Sequence, residues 1–242
     1  MKKPTAPANL SAEQFIRRMK AHRAPSEVNK IQPAFETGKN DLHLGVRHGQ
    51  IVALAKEFID MPIDEIDGLL DSPVYDVRAG ALSIMGKQAA RKNTPAHIKK
   101  ELYDLYLRRT DRMDSWQLVD ISCHWVVGGY LLDKPRKDLY KLARSPHWWE
   151  RRIAVYSTLL FIRKGDLDDA FKIAEMLIDD DEHFINTAAG GVMREAGKQD
   201  IPRLLSILDR YASTMPRICL RFAIEHLDKV QRDRYLGMKK VK

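Results

Sequence analysis

The chain has 242 residues, of which 44% are hydrophobic and 31% charged, with a formal net charge of +8. That length can bury a sizeable core in one domain, and nowhere do the roughly 20 consecutive apolar residues of a membrane span occur. Cys123 and Cys219 lie far apart and outside any Cys-x-x-Cys pair, which disfavours a disulfide framework or a zinc site. The first residues, MKKPTAPANLSAEQF, contain no apolar run of the secretory kind, so the cytoplasm is the expected compartment.

The chain reads as helix after helix. Period-two alternation is not sustained anywhere, Asn-Gly is missing, and the Asp-Gly pair at Asp67-Gly68 has no alternating runs beside it, so no strand is expected. Residues 1–9 are expected to be flexible, 10–236 to form a single domain, and 237–242 to form a basic tail. Ser11 with Gln14 has capping-box spacing and opens a helix through Met19. A helix is expected over 25–35, then a glycine-containing loop over 38–49, then helices over 50–59 and 63–70. Ser72-Pro73 and Thr94-Pro95 mark two further starts, with Ser or Thr as N-cap and Pro as the first helical residue, for helices over 74–91 and 96–109.

The stretch 112–132, RMDSWQLVDISCHWVVGGYLL, is the centre of the reading. Asp114 with Gln117 predicts an N-cap and a helix start. Trp116 and Asp120 are four residues apart, so an indole and a carboxylate share one face of a helix that is otherwise mostly apolar. Such a carboxylate has either a local pairing partner or a chemical role. Helices over 134–143, 147–163, 166–178, 182–197, 201–211 and 216–227, and a last basic helix, complete the chain.

Short loops between amphipathic helices predict antiparallel helix pairs stacked on one another. An internal repeat supports this. Ser72-Pro73-Val74-Tyr75 through Arg78 and Ala81 aligns with Ser145-Pro146-His147-Trp148 through Arg151 and Ala154, 73 residues later. Both read Ser-Pro-x-aromatic-x-x-Arg-x-x-Ala. Arg78 and Arg151 share a repeat position, so Arg151 is expected to be structural. Arg152, about 100° further round the helix, has Ala79 as its counterpart and needs a separate reason or is simply an exposed arginine.

Charge is uneven along the chain. Residues 1–30 carry seven Lys and Arg against two Glu, a net +5, and residues 199–242 carry ten against five Asp and Glu, again +5. The stretch 166–182 between them is acidic. Basic ends with an acidic middle predict one face for a polyanion and another for water.

Five motifs in order carry a resemblance. GVRHGQIVALAKE, SWQLVD, SPHWWERRIAV, INTAAGGVMREAGK and TMPRICLRFAIEHL together resemble the AlkD-like DNA alkylation repair glycosylases over residues 10–236. The resemblance implies an all-α solenoid of antiparallel HEAT-like repeats with a concave basic face that grips duplex DNA. It implies hydrolysis of the N-glycosidic bond of cationic purines such as 3-methyladenine and 7-methylguanine, without deep base flipping. It places the catalytic Asp on Asp120, its partner Trp on Trp116 and the catalytic Arg on Arg152. The chemistry suits these types. A cationic purine leaves readily, a carboxylate and an indole face stabilise positive charge on the sugar, and an arginine holds a phosphate. The second aromatic of the family pattern falls on Gly191, which has no ring; Trp148 and Trp149 are the neighbouring candidates to compensate.

Arg47, flanked by His43 and His48 in a glycine-bounded loop, is either a DNA contact or a solvated residue. His124, four residues after Asp120, reads as a core histidine or a site histidine. Arg194, Glu195, Arg221 and Glu225 are expected to make solenoid contacts. No cofactor or metal is expected. The leading expectation is a monomeric DNA glycosylase acting on duplex DNA with alkylated bases. The alternatives are a non-catalytic module that binds damaged or branched DNA, and a solenoid that binds protein partners.

Overall fold

The computed structural model describes residues 10–26, 28 and 42–238. The expected flexible start, most of the helix expected over 25–35, and residues 239–242 of the tail lie outside them. Among the described residues the fold is all-α, and the one extended pairing is an isolated bridge between Leu42 and Val74. No helix among these residues is long and apolar enough to cross a membrane. The chain divides into two compact units at Tyr130 and Leu131.

The first unit contains α1 (Ala12–Lys20), α2 (His48–Glu57), α3 (Ile63–Leu70), α4 (Tyr75–Ala90), α5 (Ala96–Arg108) and α6 (Trp116–Cys123). Ser11 caps α1 as expected, its Oγ accepting from Gln14 N–H. Helix α4 is buried almost all round, so it has no single apolar stripe and forms the axis of the unit. Its small residues let neighbours come close. A Cβ at Gly86 would sit 3.0 Å from Ser122 Cβ, so α6 lies directly against α4. Phe15 of α1 meets Phe58 edge to face at 5.1 Å and covers Gly80.

The second unit contains α7 (Lys137–Leu142), α8 (Trp148–Ser157), α9 (Leu159–Ile162), α10 (Asp168–Met176), α11 (His183–Gly197), α12 (Ile201–Tyr211), α13 (Arg217–Ala223) and α14 (Lys229–Gly237). Helix α11 is its axis. Gly190 faces the Cys219 carbonyl of α13 so closely that a Cβ would collide with it. Burial pushes the Cys219 thiol up to about 12, so it packs as a neutral small hydrophobe. The helix expected over 147–163 is broken at Thr158. Ser157 Oγ donates back to Ile153 O and Thr158 Oγ to Val155 O, each at 2.6 Å, and such back-bonding bends a helix.

Two helix starts differ from the sequence reading in the same way. Pro95 and Pro216 are N-cap residues rather than first helical residues, and Pro62 likewise caps the helix that begins at Ile63 as expected. Their ψ angles of 132–150° are extended, which a cap residue needs and a helical residue cannot have. Pro73 and Pro146 sit further out still. Ser72 Oγ accepts from Val74 N–H, and Ser145 Oγ accepts from His147 N–H, at 3.1 Å in both cases. Thr94 Oγ1 donates to Gln88 O at 2.6 Å instead of capping α5.

The repeat is physical as well as textual. Arg78 donates to Ser72 O at 3.2 Å and reaches Asp114 at 3.4 Å. Arg151 donates to Ser145 O at 3.0 Å and forms a two-pronged pair with Asp180 at 2.6 and 2.9 Å. In each unit the arginine ties the turn before its own helix to the approach of a later helix. Asp114 is therefore a partner of Arg78 and not the cap of α6; that role falls to Ser115, whose Oγ accepts from Leu118 N–H at 3.4 Å.

The acidic stretch is partly exposed, as Asp168 at 69% shows, but it is also paired with basic residues. Asp166 and Asp169 hold Arg136, Asp168 holds Arg203, Glu175 holds Arg210, and Asp180 holds Arg151. Two cations of the basic C-terminal stretch, Arg203 and Arg210, are thereby engaged within the second unit. Replacing Arg151 with Ala leaves Asp180, only 8% exposed, without its charged partner. The expected cost is about 1–3 kcal/mol, read as a lower melting temperature; an unchanged one would remove the lock from the account.

Candidate active site

The first unit contains a cavity of about 910 Å³, a size suited to a ligand site. Three elements wall it. Helix α4 contributes Ala79, Ser83, Gly86 and Ala90, a run of small residues at spacings of four, three and four that lie on one face. Their missing bulk is the space. Helix α6 contributes Trp116, Gln117, Asp120 and Ile121, and the head of α2 contributes Arg47, His48, Ile51 and Val52. Trp116 and Asp120 are both half-buried, side by side as their spacing predicts. The structure thus brings together Trp116, Asp120 and Arg47 from the sequence-predicted set.

The loop that carries Arg47 and His48 is fixed from below. Asp76, itself buried, accepts from Leu44 N–H at 2.8 Å and from Val46 N–H at 2.9 Å. Charge-assisted bonds of this kind are stronger than neutral ones. Gly45, at φ +74°, makes the turn that no β-carbon could, because a Cβ there would strike the Ala24 carbonyl. His43 does not reach the cavity as a site residue. Its side chain is buried, its ring tilted against Tyr75 with centres 5.0 Å apart and Nδ1 3.9 Å from Asp76. Beneath α6, Tyr106 donates to Val119 O at 3.4 Å, and burial pushes its hydroxyl well above the ordinary range.

Sequence reading did not single out Trp125, Tyr75 or Lys87, all of which line this cavity. The small-residue spacing of α4 could have marked Tyr75 and Lys87 as the long side chains that border that face. Trp125 follows Gln117 and Ile121 at spacings of four, so that stripe could have marked it. After Cys123 the chain widens into a π turn over His124–Gly128. Trp125 lines the cavity and His124 is not among its lining residues.

The other predicted residues lie in the second unit. Arg152 is 3% exposed, which excludes a merely solvated arginine. It donates to Phe184 O and its guanidinium lies 4.4 Å from the Tyr156 ring centre. Trp148 packs on Phe184 at 5.1 Å, and Trp149 stacks on His147 at 4.7 Å. The buried Trp149 Nε1–H has no hydrogen-bond partner among the described residues. Gly191 lines a smaller cavity of about 260 Å³ with Tyr156, Arg163, Arg194 and Glu195. Arg194 bridges Glu195 at 3.0 Å and also pairs with Glu225, the internal contacts expected of it.

A family model described as DNA alkylation repair enzyme matches residues 15–227. The chain belongs to this family. Among solved structures, a predicted DNA alkylation repair enzyme from Enterococcus faecalis is 15% identical, with a TM-score of 0.60, covering 86% of this chain and 98% of that one. AlkD2 from Streptococcus mutans is 16% identical, with a TM-score of 0.53, covering 90% of this chain and 100% of that one. At such identities the likeness is one of fold. No curated protein matches the chain.

Membership of a DNA alkylation repair family gives the protein a role in the repair of alkylated DNA, with DNA as its partner. It also sharpens the question of the two adjacent glycines in α11. Gly190 is required by packing, whereas a Cβ at Gly191 meets nothing within 4 Å. Gly190→Ala should therefore cost about 1–3 kcal/mol through overpacking against a backbone carbonyl. Gly191→Ala should be neutral or stabilise the helix by roughly 0.5–1 kcal/mol. Thermal melts of the two variants check this, and equal effects would contradict the placement of α13.

Proposed function

We propose that the protein is a DNA glycosylase that hydrolyses the N-glycosidic bond of cationic alkylated purines in duplex DNA. The observation that carries this reading is the half-buried Asp120 beside Trp116 in a cavity rimmed by Arg47, His48 and Lys87. A carboxylate under basic residues suits a substrate that is anionic along its backbone and becomes cationic at one sugar.

The chemistry needs little from the protein. The bond between C1′ and the purine nitrogen breaks with its electron pair going to the base, which leaves neutral. Positive charge develops on the sugar, and the Asp120 carboxylate stabilises it. Water then adds to C1′ and loses its proton, leaving an abasic site. Trp116 presents an indole face to the same charge. Arg152 serves as a phosphate ligand in this reading. Its planar fork of donors can serve the Phe184 carbonyl and a phosphate together. Trp148 and Trp149 are carried as DNA contacts, as is Arg47. A cytoplasmic monomer is part of the same proposal.

The test is incubation with duplex DNA carrying 7-methylguanine, assayed for free base and abasic sites. The unmodified protein should release the base. Asp120→Asn keeps the shape and removes the charge, so single-turnover release should fall by roughly 10²–10³, with duplex affinity unchanged or slightly higher. Full release by Asp120→Asn, with a lowered melting temperature, would make Asp120 a structural group instead.

Duplex affinity should also fall steeply as salt rises, because phosphate contacts release counterions. Affinity that stays flat between low and moderate salt would count against the nucleic-acid reading as a whole.

A further inference from the structure

The family pattern asks for a second aromatic at a position that holds Gly191 here. The cavity around Asp120 nevertheless has a second indole of its own. Trp125 lies four residues, about one helical turn, beyond Ile121, which lines the same cavity. A π turn over His124–Gly128 holds it there. Trp125 lines the same cavity as Trp116 and Asp120 and is half-buried there. Single π turns inside α-helices are often found at functional sites, since they are costly to keep without a use.

The chemistry of the wall is specific. Two indoles and one carboxylate from a single helix face one space. An indole face is electron-rich and attracts cations, and aromatic surfaces arranged around a space are a known way to hold a positive group. A second ring adds attraction for a cation without the repulsion and desolvation that a second carboxylate would bring. Trp125 can do this only if its ring, and not just its bulk, matters.

We propose that Trp125 is a specificity-determining residue that supplies the second aromatic face of this cavity and favours a cationic nucleotide there. The choice of ligand rests on the glycosylase reading; the residue and its ring do not. The probes are two duplexes that differ in one position. One carries a pyrrolidine abasic analogue, whose ring nitrogen is protonated, and the other carries the neutral tetrahydrofuran analogue.

The unmodified protein should bind the charged duplex more tightly. Trp125→Phe should keep most of that preference. Trp125→Leu, which fills space without a ring, should lose on the order of tenfold of it, while affinity for the neutral duplex stays level. Trp125→Ala should behave like Trp125→Leu; the Phe and Leu pair carries the test if the alanine variant does not fold. A preference intact in Trp125→Leu, or none in the unmodified protein, would overturn the proposal. Base release from 7-methylguanine DNA is measured in parallel. A ring-dependent preference without any base release would refute the glycosylase reading and still support the role of Trp125.

Discussion

The same interaction recurs in both halves of the chain: an arginine in the first turns of a long helix bonds the carbonyl six residues back and a carboxylate near the start of a later helix. Arg78 does this with Ser72 and Asp114, and Arg151 with Ser145 and Asp180. A helix start has unsatisfied donors, and the preceding turn has exposed carbonyls. A guanidinium is long enough to satisfy such a carbonyl and reach a carboxylate at once. Each lock fixes the entry of one helix relative to the entry of another. In the first unit it sets Asp114 just ahead of Ser115 and so sets where α6 begins. The rotation of Trp116 and Asp120 follows from that starting point.

Around this frame the cavity of the first unit is made by what is left out. Four small residues on α4 face Trp116 and Asp120 of α6 and Trp125 of the π turn after it, and the head of α2 closes the third side. Asp76 shows how the rim is held. Its two backbone hydrogen bonds anchor the segment before Arg47, so a basic residue is presented to solvent by a rigid stem rather than by a loose loop. Placing charge on a fixed support limits the ordering entropy that a long polar side chain would otherwise lose on meeting a ligand.

Much of this was legible in the chain because it depends on short spacings. Trp116 and Asp120 share a face since four residues make about one turn, and Ser-Pro-x-aromatic-x-x-Arg marks both locks. Pro62 heads a helix that begins at Ile63, as read. What failed depended on competition between equally suitable neighbours. Asp114 and Ser115 can each cap α6, and the distant Arg78 draws Asp114 away. Pro at the first helical position and Pro at the cap look identical in sequence; only ψ separates them. The pairing of the acidic stretch was not legible because its partners, Arg136, Arg151, Arg203 and Arg210, come from other helices.

The π turn illustrates a different limit. Its hydrogen bonds differ from those of an α-helix by a single residue, and no residue type announces it. Its effect is nevertheless large, because every side chain beyond it changes face. Just beyond α6 it holds His124 and Trp125 side by side, and Trp125 is the one that lines the cavity with Asp120. An imidazole brings a titratable base that can share a proton; an indole brings a fixed, uncharged face that favours cations. A reaction in which the leaving group already carries positive charge has no need of a proton relay at that point. It gains from surfaces that tolerate a cation without competing for a proton. For the glycosylase proposed above, an indole at this place fits that demand.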